Sequence, residues 1–392
     1  MYLPGRGRIV RGMKPSVDTR FDTPFGAFEL RRQPLLPKER LRAWDAADAY
    51  LLEELAREPE WPRSPLLVND AFGALGTALH GLEPRSWSDS FLARQALRDN
   101  LWRNGLDTAS VAFIDSLQTP PAAERVLIKL PKSLALLEDQ LLRLKPRLAE
   151  GAEVWLAGMQ KAMPRSLWPL LERTVGPCDT LPGRRKAKLI RARVDSRLPL
   201  PENPWPGRYR FDEADIELLN HSALFSRERL DIGTRFLLEH LPQTEGEGDI
   251  VDLGCGNGVI GLMAARQNPE ARVSFVDESW MAVASARENL RQVDADLRRC
   301  RFVVGNVLDD FETASADLIL CNPPFHQQQA VGEGIARLMF RESARVLRPG
   351  GELWLVANRH LDYRRPLRRR YATVEQVAQN RKFVLLRAIT GQ

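Results

Sequence analysis

The same succession of elements runs twice along this chain. Pro65-Leu66-Leu67-Val68-Asn69-Asp70-Ala71-Phe72-Gly73 stands where Asp249-Ile250-Val251-Asp252-Leu253-Gly254-Cys255-Gly256-Asn257-Gly258 stands in the second half, and Ser88-Asp89-Ser90 parallels Val276-Asp277-Glu278-Ser279. Residues 93–101 parallel 284–290, and Val111-Ala112-Phe113-Ile114-Asp115 parallels the run that ends at Asn306. Val126-Leu127-Ile128-Lys129-Leu130-Pro131-Lys132 then matches Leu318-Ile319-Leu320-Cys321-Asn322-Pro323-Pro324, and 144–146 with 151–158 matches 347–349 with 350–357. Strand-length apolar runs alternating with helix-length segments form βαβ units around a parallel sheet. The pattern therefore predicts two tandem doubly wound α/β domains. Between them, Leu198-Pro199-Leu200-Pro201-Glu202-Asn203-Pro204-Trp205-Pro206-Gly207 holds neither a helix nor an inner strand and reads as a semi-rigid linker. The expected divisions are a basic flexible arm over 1–34, a first domain over 35–197, the linker over 198–208 and a second domain over 209–392.

Chemistry is written into the second copy. Its first apolar run enters the turn Gly254-Cys255-Gly256-Asn257-Gly258 and continues into helix-compatible residues 259–266, so it reads strand, tight turn, helix. Glycines there let backbone approach a ligand. The second run ends on Asp277, where a doubly wound fold places the acid that accepts from ribose hydroxyls; the third ends at Gly305-Asn306. The fourth ends on Cys321-Asn322-Pro323-Pro324-Phe325. Ligands of open parallel sheets sit outside the carboxyl ends of the strands, so these tips converge on one crevice.

The last tip suits a planar amine. Asn322 offers a carbonyl to an exocyclic N–H, the prolines remove competing donors and fix φ, and Phe325 supplies a stacking face. Alone, the tetrapeptide is equally a Pro-Pro loop closing a strand over a core Phe. His326 beside it reads as a substrate contact, a loop hydrogen-bonder or a proton acceptor. A nicotinamide dehydrogenase would carry G-x-G-x-x-G and has no use for the Asn-Pro-Pro-Phe box. In the first copy only Gly73 remains of the glycine turn and Lys129 to Lys132 replace the box, so that copy is expected to be degenerate and to bind no cofactor.

The glycine turn, Asp277, Asn306 and the box together resemble the class I (Rossmann-like) S-adenosylmethionine-dependent methyltransferases. The resemblance implies that Asp252, Gly254, Gly256, Gly258, Asp277, Asn306 and Asn322 bind S-adenosylmethionine and that Asn322, Pro323, Pro324 and Phe325 are catalytic. The box holds no strong base, which leaves positioning and hydrogen bonding as its means of catalysis. Upstream, Phe225-Ser226-Arg227 and Leu230-Asp231-Ile232-Gly233-Thr234 resemble the block before the core of ribosomal RNA guanine-N2 methyltransferases, although Ser226 with Glu228 or Arg229 is also a plain cap for a helix beginning near Asp231. That family implies cofactor contacts from Asp231, Gly233 and Thr234 and target contacts from Phe225, Arg227 and His326. The likeness to its large-subunit members runs from about residue 41 to Val384. It implies methyl transfer to the N2 amine of one guanine in 23S rRNA, taken as naked RNA. The small-subunit enzymes acting on 16S rRNA share the layout; Gln327-Gln328-Gln329 and His360-Leu361-Asp362-Tyr363 favour the large-subunit reading. A protein glutamine N5-methyltransferase uses a similar box, usually ending in Tyr and preceded by a helical domain. A non-catalytic RNA-binding relic would have lost turn and box together.

A net charge of +6 favours a polyanionic partner, and the basic residues cluster. Arg184, Arg185, Lys186, Lys188, Arg191 and Arg193 form one group; Arg359 to Arg370, interleaved with Tyr363 and Tyr371, form another; the arm adds Arg6, Arg8, Arg11, Lys14, Arg20, Arg31 and Arg32. Each is a solvated face or an RNA surface. With Lys129 and Lys132, the first group makes the degenerate domain a candidate RNA platform, the alternative being a structural lid or dimer surface. Four cysteines, at 178, 255, 300 and 321, show no metal or disulfide spacing. No apolar run approaches the ~20 residues of a membrane helix, and the start lacks the apolar core of a secretory signal. A cytoplasmic monomer without metal is expected.

Overall fold

A computed structural model describes residues 17–392 except 38, 62, 245, 247, 294–296 and 325–328, and the side chains of 329–331 also lie outside the description. The first half runs β1 (Arg20–Thr23), β2 (Gly26–Glu29), α1 (Ala46–Leu55), β3 (Leu66–Val68), α2 (Ala74–Ala78), β4 (Arg85–Ser88), α3 (Phe91–Arg103), β5 (Ala112–Asp115), β6 (Arg125–Lys129), α4 (Leu134–Leu144), β7 (Glu153–Met159), α5 (Leu167–Thr174), β8 (Cys178–Thr180) and β9 (Ala187–Arg193). The second runs β10 (Gly207–Phe211), β11 (Ile216–Asn220), α6 (Ile232–Leu238), β12 (Asp249–Leu253), α7 (Val259–Gln267), β13 (Arg272–Asp277), α8 (Trp280–Gln292), β14 (Cys300–Val304), β15 (Ala316–Cys321), α9 (Gln329–Val346), β16 (Leu347–Asn358), α10 (Arg364–Leu367), β17 (Thr373–Gln379) and β18 (Phe383–Ile389).

Each half folds around one seven-stranded sheet. The orders are β5-β4-β3-β6-β7-β9-β8 and β14-β13-β12-β15-β16-β18-β17, parallel apart from the antiparallel pairs formed by β9 and β18 with their two neighbours. The expected duplication is thus present strand for strand. Inner strands such as β12, Asp-Ile-Val-Asp-Leu, are covered on both faces, which explains their near-continuous apolar runs. Register fixes the correspondence further. Trp155 on β7 and Trp354 on β16 each donate to the glutamate two residues earlier, Glu153 and Glu352, and β6 and β15 pair with these strands so that Lys129 occupies the place of Asn322.

The arm expected over 1–34 is corrected for the part described. β1 and β2 form a hairpin whose Phe21 and Phe28, with Leu30, are buried in the core beside Tyr50 and Leu51 of α1. Asn100 of α3 holds the backbone of Arg31 through both of its amide atoms. Arg6, Arg8, Arg11 and Lys14 lie outside the described residues. Of the segment expected as a linker, Gly207 and Arg208 belong to β10, and Asn203 donates to Asp139 of α4 at 2.7 Å.

The halves meet through helix starts. Ser90 and Ser279 cap α3 and α8. Asp89 accepts from Ser279 Oγ at 2.5 Å and from the Met281 amide at 2.9 Å, while Glu278 accepts from Ser90 Oγ at 2.6 Å and its carbonyl takes the Phe91 amide at 2.8 Å. Each half therefore satisfies donors that the first turn of the other half's helix leaves open. Trp280 packs on Phe91 and Phe113, and Leu136 on Leu224, Met281 and Ala282.

Candidate active site

The glycine turn joins β12 to α7, and all three glycines lie in the left-handed region: Gly254 at φ 73°, Gly256 at 53° and Gly258 at 80°. They do different work. A Cβ on Gly258 would meet Ala286 of α8 at 2.6 Å, so this glycine lets α7 and α8 pack closely. A Cβ on Gly256 would meet nothing within 4 Å, which leaves bare backbone facing open space. Its amide donates to Asp277 Oδ2 at 3.0 Å, and Asp277 Oδ1 accepts from the Ser279 amide at 3.1 Å, so the acid at the end of β13 is held at the lip of the turn. Burial pushes this carboxyl up from its ordinary range. Asn306, at the end of β14, donates to Asp309 at 2.9 Å and stands on the same side of the sheet.

Asn322 stands at the tip of β15, beside the start of α6. Its Nδ2 donates to Asp231 Oδ2 at 3.1 Å and to Thr234 Oγ1 at 2.9 Å, while Asp231 caps α6 by accepting from the Thr234 amide at 3.0 Å. These contacts fix which way the amide faces. Its Oδ1 is buried and has no partner, an arrangement that leaves an acceptor waiting for a donor. Gly233 makes room: a Cβ there would meet Asp231 at 3.0 Å and Phe383 at 3.3 Å. Pro323 is buried and Pro324 half-buried. Phe325 and His326 lie outside the described residues.

Some expected roles change. Asp252 is fully buried, its Oδ2 accepting from the Gly261 amide at 2.8 Å, so it fastens α7 to β12, while its Oδ1 has no partner. Asp231 and Thr234, expected at the cofactor, orient the Asn322 amide. Lys129, expected on an RNA surface, is engaged in an ion pair. It is half-buried, with Nζ 2.7 Å from Asp45 Oδ1 and 2.9 Å from Asp48 Oδ1. Asp45 caps α1 as Asp231 caps α6, so the degenerate copy keeps the strand-tip-to-cap contact but closes it as an ion pair. Asn69 there takes the left-handed place of Gly254 at φ 61° and bonds Gln140, filling the cradle with side chains.

The 184–193 group is also occupied. Arg184 pairs with Glu54 at 3.2 Å, Arg185 with Glu53, Arg191 with Glu58 at 3.3 Å and Arg193 with Glu153 at 3.4 Å; Lys186 and Lys132 are exposed. Phe225 is 67% exposed. Arg227 is half-buried over the Trp205 ring of the linker and donates to the Leu224 carbonyl at 2.7 Å, so it braces the segment. One residue went unread in the sequence. Asn289 of α8 donates to the Asn257 carbonyl inside the glycine turn at 2.9 Å, and Asn100 of α3 does the same to Phe72 at 2.8 Å. The Asn-Leu shared by 100–101 and 289–290 was its signal.

Burial pushes the Asp252 carboxyl up to about 7, with Asp277 adding to it. A raised folded-state value gives stability that is fully present below the unfolded value and is lost as pH rises through about 7. Asp252→Asn keeps the acceptor for Gly261 and removes the titration. Urea unfolding from pH 5.5 to 8.5 is expected to show a smaller fall for the variant than for the wild type; parallel curves would refute the assignment.

The sequence matches the Methyltransferase small domain over residues 215–387 and the RLMG N-terminal domain over 18–196. Fold, open glycine cradle and oriented amide tip define a class I methyltransferase in tandem form, with its site in the second copy. The ribosomal RNA large subunit methyltransferase G of Streptomyces avermitilis is 49% identical over 376 residues, 94% of this chain and 98% of that protein; its Pseudomonas aeruginosa (strain UCBPP-PA14) counterpart is 48% identical over 371 residues, 94% and 99%. The chain belongs to the ribosomal RNA large subunit methyltransferase G family. The solved T. thermophilus 16S rRNA N2 G1207 methyltransferase (RsmC), in complex with AdoMet and guanosine, shares the fold with a TM-score of 0.76 at 20% identity, covering 95% of this chain and 97% of that one.

Proposed function

We propose that this protein transfers a methyl group from S-adenosylmethionine to the exocyclic N2 amine of a guanine in 23S rRNA, acting as a cytoplasmic monomer on protein-free RNA. One observation carries the chemistry: Asn322 is held by Asp231 and Thr234 with Oδ1 unpartnered. S-adenosylmethionine supplies an electrophilic methyl on a sulfonium. The residues that would hold it are the bare backbone at Gly254 and Gly256, Asp277 for the ribose hydroxyls and Asn306 beside the base.

The guanine N2 lone pair is delocalised into the ring, so the nitrogen needs help to become a nucleophile. Asn322 Oδ1 accepts one N2–H and draws the amine toward a pyramidal geometry with its lone pair aimed across the crevice. The N–C bond would form as the methyl's C–S bond breaks, S-adenosylhomocysteine would leave and the surplus N2 proton would pass to water. Asp231 is committed to the cap of α6 and to the amide, so its part is to orient, and catalysis rests on positioning. Pro323 and Pro324 border the base, and Phe325 is the ring proposed to stack on it. The substrate follows the large-subunit names of the relatives, with the 16S reading as the competitor.

Mass mapping of methylated nucleotides tests the assignment. Undermodified 23S and 16S rRNA, naked and assembled into subunits, are incubated with the protein and S-adenosylmethionine. One N2-methylguanosine is expected in naked 23S rRNA. A product confined to 16S rRNA would overturn the substrate, and transfer to assembled subunits only would overturn the naked-RNA step.

A further inference from the structure

We propose that the turn around α10, with the groove between it and α9, is the surface over which the RNA backbone enters the active site. The inference rests on the chain acting on rRNA. Among the described residues, the two basic groups differ in how far their arginines are already paired with carboxylates. The arginines of the 184–193 group are paired with Glu53, Glu54, Glu58 and Glu153, and a phosphate would have to displace a carboxylate to gain a cation already satisfied. Around α10 the balance is different. Arg365, Arg368, Arg369 and Arg370 are exposed and form no side-chain ion pair among the described residues, while Arg364 reaches the neutral Gln376.

The aromatics interleaved with these arginines are core. Tyr363, Leu367 and Tyr371 are buried; Tyr363 stands edge-on to Phe340 of α9 with centroids 5.1 Å apart, and Tyr371 donates to the Phe340 carbonyl at 3.2 Å. They bolt the turn to α9, so the arginines project from a fixed base and lose less freedom when they meet a ligand. Topology sets the location. β16 lies beside β15 with Leu355 opposite Cys321, so the segment leaving the carboxyl end of β16 emerges next to Asn322. Between the turn and α9 lies a groove of about 420 Å³, whose lining includes Glu333, Arg337, Asp362, Tyr363, Arg365 and Arg369. Glu333 pairs with Arg337 at 3.5 Å, which leaves Arg365 and Arg369 as its unpaired cations, flanked outside by Arg364, Arg368 and Arg370. Unpaired guanidinium forks on a rigid turn suit phosphate oxygens, and neighbouring phosphates of one strand give several such contacts at once.

The test is a salt series of binding and kinetics with undermodified naked 23S rRNA, comparing wild type, Arg365→Ala with Arg369→Ala, and Arg184→Ala with Arg185→Ala. Each phosphate contact contributes about 0.7–0.9 to the slope of log K against log salt. The 365/369 variant is expected to lose about 1.5 of that slope and to show KM for RNA raised about ten-fold, with kcat and S-adenosylmethionine affinity within about two-fold of wild type. The 184/185 variant should keep the wild-type slope. An unchanged slope in the 365/369 variant, or a loss found only in the 184/185 variant, overturns the surface while methylation of 23S rRNA stands. A wild type that methylates no rRNA overturns the reading beneath it as well.

Discussion

Asn322→Ala is expected to lower kcat by about 10²–10³-fold, the effect of deleting one preorganised hydrogen bond aimed at the reacting group. S-adenosylmethionine should still bind within about two-fold of wild type, because the cradle at Gly254 and Gly256 is backbone and Asp277 is held by the turn and the Ser279 amide. Single-turnover methylation and calorimetric titration separate the two effects. Asp231→Asn makes a companion measurement. It keeps an acceptor for the helix cap but weakens the hold on Nδ2, so the Asn322 amide can turn over and kcat should fall by a smaller factor. Equal loss of cofactor binding and of transfer in Asn322→Ala would show that the amide holds the cofactor and not the amine.

Lys129→Ala is expected to cost the protein about 3–5 kcal/mol, because it strands carboxylates that burial has already stripped of water. Asp48 is buried, and Asp70 lies close enough to feel the same cation. Burial alone would lower the Lys129 value, but Asp48 and Asp45 outweigh it and raise it, so the ammonium stays charged. Urea unfolding of the full chain measures the loss, and Asp48→Asn on the same background should recover a large part of it. Unaltered stability together with a shallower salt dependence of RNA binding would return Lys129 to the phosphate role that its sequence position suggested.

What could be read from the sequence was whatever the backbone forces into residue types. Left-handed turns demand glycine, and Gly254, Gly256 and Gly258 announced the cradle; strands covered on both faces demand apolar runs, and their repetition announced two sheets in the same order. Asn322 was legible because three earlier strand tips, at the glycine turn, Asp277 and Asn306, point to the same crevice, and not from the tetrapeptide alone. Partnership across long separations was not legible. Nothing local to Arg184 or Arg191 shows that the glutamates of α1, far upstream, neutralise them, and nothing local to Tyr363 or Tyr371 shows that they face Phe340. The β1–β2 hairpin escaped for the same reason. Its strands are four residues each, among arginines, and only α1 closing over Phe21 and Phe28 makes them core.

The exchange of caps between Asp89 with Ser279 and Glu278 with Ser90 has the geometry of a two-fold axis running through one polypeptide. Contacts of that kind are isologous: the patch on one body answers the same patch on the other, as in a symmetric dimer. In a dimer of identical subunits a mutation that spoils the cradle spoils both sites at once. Fusion of the two bodies into one chain removes that coupling and makes their pairing independent of concentration. One member of the pair was then at liberty to close its crevice with Lys129 and Asn69, while its surface went on holding Ser279, the residue whose amide supports Asp277 of its neighbour.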